Sequence, residues 1–256
     1  MADPGTLSLE RYYTGLSDFA ATLAGIVAST DETQPIPTCP EWALRQLTTH
    51  VGRAHRWAAA IVAGRLTEPL PFREVPDGKL PDDPAARQDW VTTGAAKVVD
   101  AVAGSGGADV WTFGGMAPAA FWARRMTHET SMHLADAQLA TGHEVVIPAD
   151  LAADGIDEWL DFVLARGAGQ SPLADGQTLH IHATDEGLDG AGEWLVSGTG
   201  SGLSVQRGHA KADAAVRGPA GRLQLVLMRR MPAGQPGVEV LGDTKLFDRW
   251  LEQTPF

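Results

Sequence analysis

One stretch of the chain concentrates side chains able to bind a cation: Met126-Thr127-His128-Glu129-Thr130-Ser131-Met132-His133-Leu134-Ala135-Asp136. Laid on a helix, Trp122, Met126, Glu129, His133, Asp136 and Ala140 alternate four- and three-residue steps and share one face. Three ionisable groups on an otherwise inward face would cost several kcal/mol unless they are paired or hold a cation. Glu129 and His133 stand at i and i+4, so both can address one atom. His128 belongs to the neighbouring face, and its separation from His133 excludes the HExxH arrangement of zinc peptidases.

Two ligands from one helix need a third from another. Leu47, His50, Ala54, Trp57 and Ile61 form a second inward stripe, and His50 is its one ionisable member. Facing helices of a bundle commonly share a metal in this way. Two imidazoles and a carboxylate suit zinc, and three protein ligands leave a coordination position open, the mark of a catalytic site. Nickel, iron and manganese are compatible with the same ligand types. Asp136, one turn beyond His133, fits an acceptor for a ligand imidazole, a general base, or a core carboxylate capping a neighbouring helix.

Other reactive residues carry less. Cys39 falls in the first turn predicted for the His50 helix, where the helix dipole would favour a thiolate. On that helix it would lie about 16 Å from His50, so it reads as a small buried apolar residue. His180 and His182 share a strand face, and polar alternation accounts for them as well as ligation does. One metal per chain is therefore expected, with no second site there. Arg125, at i−4 to Glu129, would form an ion pair that competes with the metal. Arg230 ends an apolar helix, where it either takes a substrate carboxylate bidentately or solvates the helix terminus.

The elements that must position these groups follow from periodicity. Leu9, Tyr12, Tyr13, Leu16, Phe19, Leu23 and Ile26 make the stripe of a first amphipathic helix. Thr38 and Glu41 have capping-box spacing, which predicts a second helix from there to about Ala63. Asp83-Pro84 opens a third, reaching Ala103, and a fourth runs from about Ala117 to Ala140. After one more helix around Ile156, Trp159, Leu160 and Val163, the pattern changes to strands. Leu179–Ala183, Trp194–Ser197, Leu203–Gln206 and Ala212–Val216 predict an antiparallel meander. A helix over Leu223–Met228, a strand at Val238–Leu241 and a helix over Thr244–Gln253 complete the chain. The reading is a two-domain protein: a four-helix bundle over residues 1–147 and a small α+β domain with an antiparallel sheet over residues 148–256.

Composition excludes some functions. The 256 residues are 44% apolar and 20% charged, enough for a sizeable core. A net charge of −12 argues against nucleic acid, which is bound by a basic face. Nowhere do eighteen apolar residues run together, so no membrane span is expected. Met1–Thr6 lack the basic and apolar regions of a signal peptide, and the single cysteine fits a reducing cytoplasm.

Ile36-Pro37-Thr38-Cys39-Pro40-Glu41-Trp42, Leu47-Thr48-Thr49-His50, and Phe121-Trp122-Ala123-Arg124-Arg125-Met126-Thr127-His128-Glu129 with His133 and Asp136-Ala137 resemble the mycothiol-dependent maleylpyruvate isomerase family. The resemblance implies a DinB-like metal-binding bundle followed by a domain similar to sterol carrier protein 2. It implies zinc on His50, Glu129 and His133, a functional Asp136, and a functional C-terminal arginine that falls best on Arg230. The expected activity is that of a zinc enzyme that activates mycothiol and adds it to a small electrophile. A persisting adduct makes it an S-transferase; rotation of the adducted olefin and expulsion of the thiol makes it a cis–trans isomerase. The rival reading is a non-catalytic protein that binds a small ligand in its C-terminal domain. The oligomeric state is left open by the sequence.

Overall fold

The protein is seen in a computed structural model that describes residues 7–165 and 171–254; Met1–Thr6, used above against a signal peptide, lie outside the described residues. The described chain divides into two compact units, Ser8–Val145 and a second beginning at Val146.

The first unit is built on four helices: α1 (Leu9–Ser29), α2 (Leu44–Ala63), α3 (Ala85–Gly104) and α4 (Ala120–Thr141). Ser8 caps α1 by accepting from the Arg11 N–H, and Tyr12, Leu16, Phe19, Leu23 and Ile26 of the stripe are buried, while Tyr13 is half-buried and Leu9, in the first turn, is exposed. Helices α2 and α3 approach closely at Gly52, where a Cβ would stand 2.0 Å from the Trp90 ring. Helix α4 stops at Gly142, whose φ of 72° is the left-handed conformation that favours glycine.

Two local expectations fail. Helix α2 begins at Leu44, not near Thr38; the Ala43 N–H is satisfied by the Gln46 side chain at 3.1 Å, so the capping partner lies five residues later than expected. Residues 36–42 instead form a knot of turns. Ile36 N–H donates to Trp42 O, Cys39 N–H to Ile36 O, and Trp42 N–H to Cys39 O, at 2.8–2.9 Å. The second miss is a hairpin before α4, β1 (Asp109–Thr112) with β2 (Gly115–Pro118). Its strands are too short for alternation to register. They matter because the Trp122 indole N–H donates to Trp111 O at 2.9 Å, while Trp57, Trp111, Phe113 and Trp122 pack with centroids 5.1–6.1 Å apart. That cluster fixes where α4 starts, and hence where Glu129 and His133 fall.

The second unit has α5 (Ala149–Ala165), β3 (Thr178–Ala183), β4 (Glu193–Thr199), β5 (Gly202–Arg207), β6 (Ala214–Gly218), α6 (Ala220–Leu227), β7 (Glu239–Gly242) and α7 (Thr244–Gln253). The sheet order is β5-β4-β3-β6-β7. It is mixed: β3 and β6 run parallel, where the sequence predicts a meander. Asp213 explains the departure. Its carboxylate accepts from the Thr178 N–H and hydroxyl at 2.8–2.9 Å and its own N–H donates back to Thr178 Oγ1, which joins the two strands at their starting ends. Leu179, Ile181, Trp194, Val196, Ala214 and Val216 are buried on one face of the sheet. No helix among the described residues is long and apolar enough to cross a membrane.

Candidate metal centre

His50, in the second turn of α2, meets Glu129 and His133 on consecutive turns of α4. His50 Nε2 stands 2.7 Å from Glu129 Oε1, and His133 Nε2 stands 3.4 Å from the same oxygen. One ligand atom from each of the three residues lies within 4.8 Å of the others. The imidazole planes of His50 and His133 cross at 76°, with centroids 4.8 Å apart. Two donors on a tetrahedral zinc, at bonds of about 2.0–2.1 Å, stand roughly 3.3 Å apart, close to the His133–Glu129 spacing.

The hydrogen bonds around the triad assign each atom a task. His133 Nδ1 donates to Asp136 Oδ2 at 2.9 Å, which turns the Nε2 lone pair toward Glu129. Two electron-rich atoms facing each other at 3.4 Å call for a proton or a cation between them. Without a metal the proton fills that role. Burial works to lower the His133 pKa, but its hydrogen bonds to Asp136, Cys39 and Glu129 outweigh burial and hold it well above the ordinary imidazole range. For Glu129, burial works upward; the hydrogen bonds from His133 and His50 and the charge of Arg125 prevail and keep the carboxyl well below its usual range.

Arg125 forms the expected ion pair, but through the Glu129 oxygen that does not face the imidazoles. Its guanidinium, buried at 5% exposure, binds Glu129 Oε2 at 2.8 Å and leaves Oε1 to the two imidazoles. The carboxylate is thus oriented by its second oxygen. The triad lies at the rim of the bundle: the His50 side chain is 37% exposed, while His133 is 10% and Asp136 0% exposed. A ligand approaching a bound metal would arrive on the His50 side. The donor set, the shared Oε1 and the oriented Nε2 of His133 fit a divalent ion with a further position open.

The turn segment before α2 supplies what the sequence reading placed elsewhere. Cys39 does not ride on the His50 helix; its Sγ lies 3.7 Å from Asp136 Oδ2, so the expected separation of about 16 Å is wrong. Trp42 sits with its ring 5.0 Å from the His50 ring and 5.6 Å from that of His133. The Gln34 amide donates to Ala140 O at 3.0 Å and ties the segment to the end of α4. A signal for this was present: a residue that precedes proline disfavours the helical region, and Cys39 precedes Pro40.

The remaining candidates separate from the triad. His128 is buried at 2% and packs edge-on against Tyr12 at 6.2 Å. Arg230 follows α6 in the second unit, where its Nη1 donates to Met228 O at 2.9 Å and its N–H to Leu225 O at 2.7 Å. His180 is 4% exposed, which a solvated polar strand face does not explain.

The chain is a helical bundle that brings two imidazoles and a carboxylate together, followed by an α+β unit. Two family models make the assignment particular: the mycothiol maleylpyruvate isomerase N-terminal domain matches residues 14–138 and the MDMPI C-terminal domain matches residues 150–249. The chain belongs to the mycothiol maleylpyruvate isomerase family. It is similar in fold to a solved structure described as the crystal structure of the mycothiol-dependent maleylpyruvate isomerase, with a TM-score of 0.62 at 16% identity over 94% of this chain and 95% of that one. A histidine-to-alanine mutant of that isomerase matches with the same values. No curated protein sequence matches.

Proposed function

We propose that this chain is a metal-dependent enzyme that activates mycothiol and adds it to a small unsaturated electrophile, as a cis–trans isomerase or an S-transferase. The observation that carries the reading is the shared Glu129 Oε1, 2.7 Å from His50 Nε2 and 3.4 Å from His133 Nε2, with Arg125 holding the other oxygen. Membership of the isomerase family supports the thiol and the reaction class. Zinc is the proposed ion, on the donor types.

His50, Glu129 and His133 would hold the ion. When bound there, it would keep the mycothiol sulfur as thiolate at neutral pH. Asp136 fixes the His133 tautomer by accepting from Nδ1, which would leave Nε2 as the ligand atom and make the ring a stronger donor to the ion. Trp42 packs beside both imidazoles and would help to position them. Arg230 is proposed as the contact for a substrate carboxylate, through its planar guanidinium fork. Arg230→Lys is then expected to raise KM more than it lowers kcat.

Purified chain, stripped of metal and reloaded with zinc, would be incubated with mycothiol and a panel of electrophiles that includes maleylpyruvate. Mass spectrometry would follow thiol adducts, and absorbance would follow isomerisation. Turnover by the reloaded protein and none by the stripped protein is expected. Failure of the zinc-loaded chain to consume mycothiol or isomerise any member of the panel would overturn the proposal.

A further inference from the structure

We propose that the C-terminal sheet carries a second metal site, a closed four-ligand centre of the zinc type formed by His180, His182, Glu193 and His209. One ligand atom from each of these residues lies within 4.8 Å of the others. The site is distinct from the bundle triad and does not depend on the reaction proposed for it.

Strand register brings the four together. His180 and His182 stand at i and i+2 of β3 and point to the same face. Glu193, the first residue of β4, is the antiparallel partner of His182 and therefore faces the same way. After β5 the chain returns to this corner, because Gly208 N–H donates to Glu193 O at 3.1 Å, and this delivers His209. The φ of 117° at Gly208 is open to glycine and strained for other residues, so the approach depends on that position.

The distances are those of a ligand cluster. Glu193 Oε2 lies 2.7 Å from His209 Nδ1 and 3.1 Å from His180 Nε2, and Glu193 Oε1 lies 3.8 Å from His182 Nε2. The three imidazole rings are mutual neighbours, with centroids 5.1–5.8 Å apart. A solvated ion-pair network does not account for His180. Its side chain is only 5% exposed, yet its Nε2 makes no hydrogen bond of acceptable geometry although a carboxylate oxygen is 3.1 Å away. A buried ring nitrogen that faces three other ligand groups and makes no well-aligned hydrogen bond is an arrangement that a cation would satisfy. The nearest cation in strand register is Arg217, beside His182 on β6, and it turns toward Glu239 of β7 at 3.8 Å.

Three imidazoles and one carboxylate match zinc and its borderline neighbours and are poor ligands for calcium or magnesium, which take oxygen. Four protein ligands leave no position for substrate, so the role is structural. The ion would pin β3, β4 and the chain after β5 together at one corner of the sheet.

The experiment uses the full chain carrying His50→Ala and His133→Ala, which removes the bundle ligands, and titrates it with cobalt(II). One equivalent is expected to bind with the visible absorption of a four-coordinate ion. Adding His182→Ala and His209→Ala is expected to abolish that band. As a second measurement, elemental analysis of zinc-loaded wild-type chain and of His209→Ala alone should show the variant short by one equivalent. His209 is 74% exposed, so its replacement leaves the sheet core intact. Circular dichroism would confirm folding of each variant. Retention of the full wild-type zinc content by His209→Ala, or a cobalt band that survives loss of His182 and His209, overturns the site.

Discussion

The bundle and the sheet each gather imidazoles around one glutamate, and the two clusters are supported in different ways. In the bundle, two of the three ligand side chains are oriented by a further side chain: Arg125 holds Glu129 Oε2, and Asp136 holds His133 Nδ1. In the sheet, Glu193 meets the three histidines directly, and position comes from backbone register. The first arrangement spends three side chains on ligation and the neighbouring ones on aim, which suits a site that must accept a further ligand. The second spends all four on ligation, which suits a site that only holds. Experiments that treat the two differently therefore test the contrast.

The largest effect is expected at the bundle. His133→Ala or Glu129→Gln should remove the bundle metal and take thiol-dependent turnover to background, with the helical content of the chain unchanged. His182→Ala, by contrast, should leave turnover intact. Parallel turnover assays on the three variants decide it. If His182→Ala is as inactive as His133→Ala, the division of roles between bundle and sheet is wrong.

Acid separates the two regions next. His55, buried in the bundle at 0% exposure, lies 2.7 Å through Nε2 from Thr130 Oγ1, whose hydroxyl is 2.6 Å from Met126 O. With the hydroxyl donating to Met126, the ring must be the donor through Nε2. Burial, reinforced by the charge of Arg56, pushes its pKa from 6.5 down to about 3. The unfolded chain therefore takes up a proton near pH 6.5 that the folded chain refuses until about pH 3. The stabilisation is complete above 6.5 and is lost as the pH falls toward 3, amounting to roughly 4–5 kcal/mol over the window. Urea unfolding of the metal-free chain should lose about 2 kcal/mol between pH 6.5 and 5 from this group. His55→Gln keeps a donor for Thr130 and should flatten that slope; an unchanged slope would assign the acid sensitivity elsewhere.

How much of this was legible in the sequence depends on whether a feature belongs to one element. The α1 stripe, the α4 seam and the pairing of Glu129 with His133 are periodicities within a helix, and they read directly. His50 required a second helix with one ionisable inward residue, and such patterns also read. The turns of residues 36–42 did not, since they close through backbone bonds that no local spacing displays. The parallel pairing of β3 with β6 rests on Asp213 meeting Thr178 thirty-five residues away. The sheet cluster was half visible: His180 and His182 alternate in plain sight, but Glu193 and His209 join them only through strand register.

Asp136→Asn tests the aim of the bundle site. An amide can still contact His133 Nδ1 but carries no charge, so the imidazole becomes a poorer ligand. Metal affinity is expected to fall between tenfold and a hundredfold, the usual range for loss of such an orienting partner. Competition with a chromophoric chelator would measure it. Affinity within twofold of wild type would show that Asp136 serves the helix packing rather than the metal.

The smallest effect is expected at Cys39, and it discriminates between two chemistries. Its Sγ lies 3.7 Å from Asp136 Oδ2, within reach of a weak S–H donor to a buried carboxylate that also takes the His133 proton. If the thiol only helps to satisfy Asp136, Cys39→Ser should keep both metal and turnover, because a hydroxyl donates to the same oxygen. Cys39→Ala removes the donor and should weaken metal binding by about fivefold, the equivalent of roughly 1 kcal/mol for one lost hydrogen bond. The order of the variants is the measurement: wild type and Ser together, Ala below them. A Cys39→Ser chain that holds its metal but no longer turns over would break the order. It would make the protein's own thiol, 3.7 Å from Asp136, a participant in the reaction alongside mycothiol.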